Sequence, residues 1–287
     1  MISPFPPMAP PPRPVQAGLY LVSTPIGNLR DITLRALDVL KAADLILAED
    51  TRVTGKLLSA YGLKARLERC DDHASERAAG GAVERVREGQ VVALVSDAGT
   101  PLVSDPGFRL VRAARTAGLR VSPVPGPCAF VAALSVAGLP SDRFVFEGFL
   151  PAKAAARRER LSMLASETRT LAFYESSHRI ADALADMRDA FGAERSAVLA
   201  RELTKLYETV LDGTLAALAS RVATDPDQRR GEFVVLVQGA GSDEDARIAE
   251  GRRLYAKLGE HLPPSTAAKL AAELTGAPRK ALYGSER

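Results

Sequence analysis

The chain has 287 residues, 46% of them hydrophobic and 25% charged, which fits a globular protein with room for two domains and a small extra module. A net charge of +3 permits a nucleic-acid partner without demanding one. Two cysteines and three histidines are too few for a disulfide framework or a cysteine-based zinc site, and no apolar run approaches the roughly 18 residues of a membrane span. We therefore expect no metal, no membrane partner and a reducing, cytoplasmic setting.

Residues 1–17 are proline-rich and read as a disordered tail. Order begins at Gly18–Ser23, a strand stopped by Thr24-Pro25-Ile26-Gly27-Asn28. Asp31 is expected to cap the helix that follows, whose apolar side chains fall mostly on one face. Leu45–Ala48 is a second strand, with Glu49-Asp50-Thr51-Arg52 at its carboxyl end opening another helix. Arg66–Cys70 is a weaker third strand, followed by Asp71-Asp72-His73 and a helix to about Glu88. The β-branched run Val91–Val95 suits a strand buried on both faces. It breaks into Ser96-Asp97-Ala98-Gly99-Thr100-Pro101 and then Ser104-Asp105-Pro106-Gly107. A fifth strand near Arg120–Pro123 leads to Pro125-Gly126-Pro127-Cys128. This strict strand–helix alternation predicts a parallel sheet with helices on both faces.

After the helix Cys128–Val136 the pattern restarts, with strands at Arg143–Phe146, Thr170–Tyr174, Ser196–Arg201 and Glu232–Gln238, and a further short one within Leu206–Leu211. Closer spacing predicts a mixed sheet. A basic run, Lys153 to Arg160, reads as a solvated face or, for a nucleic-acid partner, a second backbone contact. From Gly241 the chain is helical and polar, and a glycine turn before a basic last helix, Arg279–Tyr283, is weakly reminiscent of helix-turn-helix modules. The expected limits are 18–125 and 126–240 for two α/β domains and 241–287 for a helical one.

The chain lacks GxGxxG after a strand, GxxxxGK[ST], HExxH and G-x-S-x-G, which argues against dinucleotide, nucleoside-triphosphate, zinc-protease and serine-hydrolase chemistry. What remains is a rim of polar strand ends. Small turns at 25–28, 97–100, 104–105 and 125–128 suit a flat, mostly neutral ligand held by main-chain groups. Charged ends at 49–52, 175–179 and 201–205 suit a polar or anionic second substrate. Aromatics, at 5%, offer no evident base-stacking platform.

The segments TPIGNL (24–29), AEDTR (48–52), LVSDAGTPLVSDPG (94–107), PGPCA (125–129), GLPSDRFVFEGFLP (138–151), FYESSHR (173–179) and ARELTK (200–205) resemble the ribosomal RNA small-subunit methyltransferase I family of the tetrapyrrole methylase superfamily. The resemblance runs from about Gly18 to Gly239, and residues 275–285 look like the family's helical C-terminal domain. It implies two α/β domains of the tetrapyrrole methylase type with a cleft between them. It further implies S-adenosylmethionine as donor and ribose 2′-O-methylation of a decoding-centre cytidine in 16S rRNA, within the 30S subunit, by a cytoplasmic homodimer; no DNA partner is expected. On this footing Pro25, Gly27, Asp97, Ala98, Gly99, Ser104, Pro125, Gly126 and Cys128 are the expected cofactor contacts. Asp50 and Glu202 are the candidate general bases, beside Glu49 and Glu175. Arg52, Arg201 and Lys205 are the candidate phosphate contacts. Two rival readings are a small-molecule methylase acting on a tetrapyrrole and a non-catalytic RNA-binding assembly factor.

Overall fold

A computed structural model describes residues 13–70, 75–241 and 243–282. Most of the proline-rich start, the Asp71-Asp72-His73 turn and Tyr283 lie outside the described residues. The first unit runs β1 (Gly18–Val22), α1 (Leu34–Ala42), β2 (Leu45–Ala48), α2 (Thr51–Ala60), β3 (Leu67–Arg69), α3 (Ser75–Arg87), β4 (Val91–Val95), α4 (Phe108–Thr116) and β5 (Val121–Val124). All strand pairs are parallel, in the order β3-β2-β4-β1-β5. Successive strand residues point to opposite faces, so Tyr20, Ile46 and Ala93 meet Val39, Leu40 and Leu57 of α1 and α2. Leu19, Leu47, Val92 and Leu94 meet Val83, Val86 and Leu110 of α3 and α4 on the other side. Burial on both faces is why β4 carries no polar residue, each such side chain contributing about 1.5–3 kcal/mol.

One expectation is corrected in this unit. Asp31 does not cap α1: residues Leu29–Asp31 form a short 3-10 turn capped by Asn28, and the α1 cap is Thr33, whose hydroxyl accepts from the Ala36 amide at 3.1 Å. The extra turn moves the helix start by two residues.

The second unit runs α5 (Ala129–Val136), β6 (Phe144–Phe149), α6 (Ala154–Leu164), β7 (Thr170–Ser176), α7 (Ile180–Phe191), β8 (Ser196–Arg201), β9 (Thr209–Thr214), α8 (Leu215–Thr224) and β10 (Glu232–Val237). Its sheet, β6-β7-β10-β8-β9, is mixed: β6 and β7 are parallel and the other pairs antiparallel. One face packs Leu171, Phe173, Leu199 and Val235 against α6, α7 and α8. The other holds Ala172, Val198, Ala200 and Val234 against Ala133 of α5. The short strand expected within Leu206–Leu211 instead begins at Thr209, because residues 202–208 form a loop over the cleft.

Two of the basic side chains on α6 are engaged within the protein. Arg157 is buried and paired with Asp186 at 2.7 Å, and Arg160 is paired with Glu147 at 2.7 Å, so neither guanidinium is a free phosphate contact. The remaining helices, α9 (Asp243–Gly259), α10 (Pro264–Thr275) and α11 (Arg279–Leu282), close on Ala271, Ala277 and Leu282.

Candidate active site

The carboxyl ends of the first sheet's strands face the second sheet across a cleft of ≈ 330 Å³. Parallel sheets direct their strand-end loops to one side, which is where ligands bind in open α/β folds. The loops after β1 and β4 are joined there by a two-way backbone bridge: Thr24 N–H donates to Gly99 O at 2.8 Å, and Gly99 N–H to Thr24 O at 3.0 Å. The Thr100 hydroxyl donates to Pro127 O at 2.9 Å, tying in the turn after β5.

Backbone strain is concentrated in two loops at this cleft. Among the described residues, the non-glycine positions with left-handed φ are Leu102, Ser104, Glu202 and Thr204. Such conformations cost of order 1–3 kcal/mol each and persist where the surroundings hold them, commonly around ligand sites. Here the holding contacts are visible. The Glu202 carboxylate accepts from the Glu232 amide at 2.9 Å and from Lys205 Nζ at 2.8 Å, while Lys205 also reaches Glu232 at 2.6 Å. The Thr204 hydroxyl accepts from the Asn28 amide at 3.1 Å, fastening the second unit to the first. Gly27 is required at that junction, since a Cβ there would lie 2.8 Å from Thr204 Oγ1 and 3.1 Å from Leu203 O.

Of the expected cofactor contacts, Asp97, Ala98, Gly99 and Ser104 line the cleft. Pro25, Gly27, Pro125, Gly126 and Cys128 do not form its wall. Gly27 seats the 202–205 loop, and Gly126 packs against Ser23, where a Cβ would come within 2.8 Å of that side chain. Cys128 is the residue before α5 and is half-buried.

The two candidate bases separate. Asp50 lies outside the cleft lining. Its carboxylate caps α2 at the Arg52 amide and is gripped by the Arg52 guanidinium at 2.5 Å, which holds it well below the usual carboxylate range. Glu202 does line the cleft, and desolvation alone would raise its pKa, but the hydrogen bonds from Lys205 and the Glu232 amide outweigh this and lower it. Both are weak bases as held. Asp105 is different: burial, with the charges of Glu49 and Asp97 and against a hydrogen bond from Ser96, pushes its carboxyl up to about 6. In the sequence Asp105 is one residue of a turn; its pKa depends on neighbours such as Glu49 that are far away along the chain.

The candidate phosphate contacts also separate. Arg52 is exposed and paired with Asp50, and Lys205 is half-buried in its two ion pairs. Arg201 is corrected: only 8% exposed, it donates through Nε to Arg230 O at 2.7 Å and through Nη1 to Tyr207 O at 3.0 Å. A guanidinium so engaged braces the loop and presents no face to RNA. Glu175, another lining residue, is buried, and its Oε2 finds no partner among the described residues. Its Oε1 pairs with Arg179 Nε at 3.4 Å, and it is the carboxylates of Glu49, Asp97 and Asp105 on the cleft lining that suit a ligand bringing positive charge.

A fold of two facing α/β sheets with a strand-end cleft, carboxylate-lined and built on main-chain turns, defines a class. Residues 18–219 match the family of tetrapyrrole (corrin/porphyrin) methylases, and residues 245–284 match the RsmI C-terminal HTH domain. The chain belongs to this methylase family. It is 62% identical to the ribosomal RNA small subunit methyltransferase I of Xylella fastidiosa, over 93% of this chain and 97% of that protein. The proteins of the same name from Pseudomonas aeruginosa and Escherichia coli O157:H7 are 54% and 52% identical, over 92% and 93% of this chain and 95% and 94% of theirs. Among solved structures, a cobalamin biosynthetic enzyme, cobalt precorrin-4 methyltransferase, aligns with a TM-score of 0.58 at 21% identity, over 77% of this chain and 94% of that one. That likeness shows the fold alone.

Proposed function

We infer that this protein is an S-adenosylmethionine-dependent methyltransferase that 2′-O-methylates a cytidine ribose in 16S rRNA. The observation that carries this is near-full-length identity above 50% to proteins named for small-subunit rRNA methylation, helical C-terminal domain included. The cleft wall also carries the charged side chains of Glu202, Lys205 and Glu232, which suit a polar substrate.

The residues present fit the cofactor. The 97–99 turn offers main-chain groups, and Glu49, Asp97 and Asp105 offer negative charge. S-adenosylmethionine would supply an activated methyl group on a cationic sulfur, so the protein's tasks are alignment, exclusion of water and removal of one proton. Alignment falls to the bridged loops after β1 and β4, pinned by the Asn28–Thr204 bond across the cleft. The two sheets exclude water from both sides. For the proton, Asp105 is a cleft carboxylate raised toward neutrality, and we assign its Oδ atoms as the acceptor for the ribose hydroxyl in place of Asp50 or Glu202.

The small subunit, rather than naked RNA, is proposed as the substrate, and a homodimer as the working form. The dimer finds support in α5, which carries no charged side chain yet leaves Val131 and Val136 exposed. Among the described residues no helix is long and apolar enough to cross a membrane, and a cytoplasmic setting is part of the same proposal. The test is isotope transfer from labelled S-adenosylmethionine to naked 16S rRNA, to 30S subunits and to a porphyrinogen. Label in small-subunit RNA is expected. Label only in the porphyrinogen, or RNA binding without any label, would sink the assignment.

A further inference from the structure

Four of the described aromatic rings form a chain across the second unit. Phe130 stacks on Phe146 with ring centres 4.5 Å apart, Phe146 meets Tyr174 edge-on at 4.9 Å, and Tyr174 meets Phe149 edge-on at 5.6 Å. The chain of rings ends at the cleft, where Phe149 forms part of the wall while 54% exposed. A large apolar ring left half in solvent at the mouth of a ligand site is an unfinished contact.

Its position comes from an irregularity in β6. Phe146 pairs with Ala172, but the register then slips, so that Gly148 pairs with Phe173 and Phe149 with Tyr174. In a regular strand, residues three apart face opposite sides of the sheet. The bulge puts Phe146 and Phe149 on the same side, the cleft side, while Val145 and Leu150 pack into the core behind. Gly148 makes the bulge feasible: its φ is +63°, and a Cβ there would lie 2.8 Å from Ser104 Oγ of the opposite wall. Without the bulge, Phe149 would point into the core and the cleft would lose its aromatic edge.

We propose that Phe149 is the stacking platform for the base of the nucleotide whose ribose enters the cleft. Resting on the functional reading above, this names how that substrate is held. Single-stranded or splayed-out RNA is recognised largely by bases stacked on aromatic faces, which hold any base by its π surface. The ring is well prepared for that task. Tyr174 braces its edge, and the Tyr174 hydroxyl is itself fixed by accepting from the Phe130 amide at 3.3 Å. Phe149 belongs to the second unit, across the cleft from the 97–99 turn assigned to the cofactor. The base would therefore lie against the wall opposite the methyl donor, leaving the ribose between them.

The test uses the full-length protein and whichever small-subunit RNA form the wild type methylates. Phe149→Ala and Phe149→Leu should each lower kcat/KM for RNA by about tenfold or more, the scale of one lost base stack. Phe149→Tyr should stay within about threefold of wild type, because it keeps the π face and Leu does not. Affinity for S-adenosylmethionine, measured by calorimetry, and the melting temperature should hold in all three variants, since the ring is half-exposed. The proposal is overturned if Leu works as well as Phe, if Tyr loses as much as Ala, or if cofactor affinity falls in parallel with RNA transfer. A wild-type protein that labels no small-subunit RNA overturns the functional reading and this inference with it, and is told apart by that control alone.

Discussion

Replacing Gly27 with alanine puts a methyl group at the contact that fastens the two units together. The new Cβ would lie 2.8 Å from Thr204 Oγ1, 3.1 Å from Leu203 O and closer still to Lys205 Cγ. None of these is the loose end of a side chain. Leu203 O is backbone, and Lys205 is held at its far end by Glu202 and Glu232. The loop must therefore retreat, and the Asn28–Thr204 hydrogen bond goes with it. Overpacking of this kind costs about 1–3 kcal/mol and the lost bond about 1 kcal/mol, so roughly 2–4 kcal/mol opposes the closed cleft. At 1.4 kcal/mol per factor of ten, methyl transfer should fall by about 30-fold to several hundredfold. The assay is kcat/KM for RNA beside calorimetric cofactor binding, with Gly81→Ala as control. Gly81 sits inside α3 with nothing within 4 Å of a Cβ, and the change there should be neutral or stabilising by roughly 1 kcal/mol. Wild-type kcat/KM in Gly27→Ala would refute the claim that this junction holds the cleft closed.

Further outcomes follow from the site's charges. Asp105 ionises at about 6 rather than at its ordinary 3.8, so transfer should rise as pH increases through about 6, and Asp105→Asn should be slower and lose that limb. The sign for stability is opposite. A carboxyl whose folded pKa is raised weakens the fold as pH climbs from about 4 through 6, so Asp105→Asn should melt higher than wild type at pH 7–8 and lose that advantage near pH 4. A pH–rate profile unchanged by the substitution would remove Asp105 from the proton's path. Arg201→Ala should lower the melting temperature without changing the salt dependence of RNA binding, because its guanidinium serves Arg230 O and Tyr207 O. Arg52→Ala should do the reverse and lower the salt slope by about one, as expected for one exposed phosphate contact. Salt titration of RNA binding separates the two.

How much could be read in advance varied with the range of the cause. Strands such as Val91–Val95 were legible because burial on both faces leaves a purely apolar run, and the turns after them were legible from glycine, proline and aspartate. The start of α1 was misplaced by two residues because Asp31 and Thr33 are both good caps, and a short 3-10 turn decides between them. A basic residue type carries no hint of its partner. Arg157, Arg160 and Arg201 look like any other basic residues until Asp186, Glu147 and two backbone carbonyls are folded beside them.

By itself the sequence determined the alternation of strands and helices, hence the parallel first sheet and the rim on which its loops gather. It also determined the family, through short turn segments whose residue types leave little freedom. Only the tertiary structure decided which rim residues face the cleft. Asp105 and Glu202 line it, Asp50 does not, and Arg201 turns away from it. The one-residue bulge at Gly148 likewise turned Phe149 from a core residue into a wall of the site. The reason is physical: strand and turn formation depend on neighbours a few residues away, whereas a side chain's partner, pKa and exposure depend on groups brought together from across the chain.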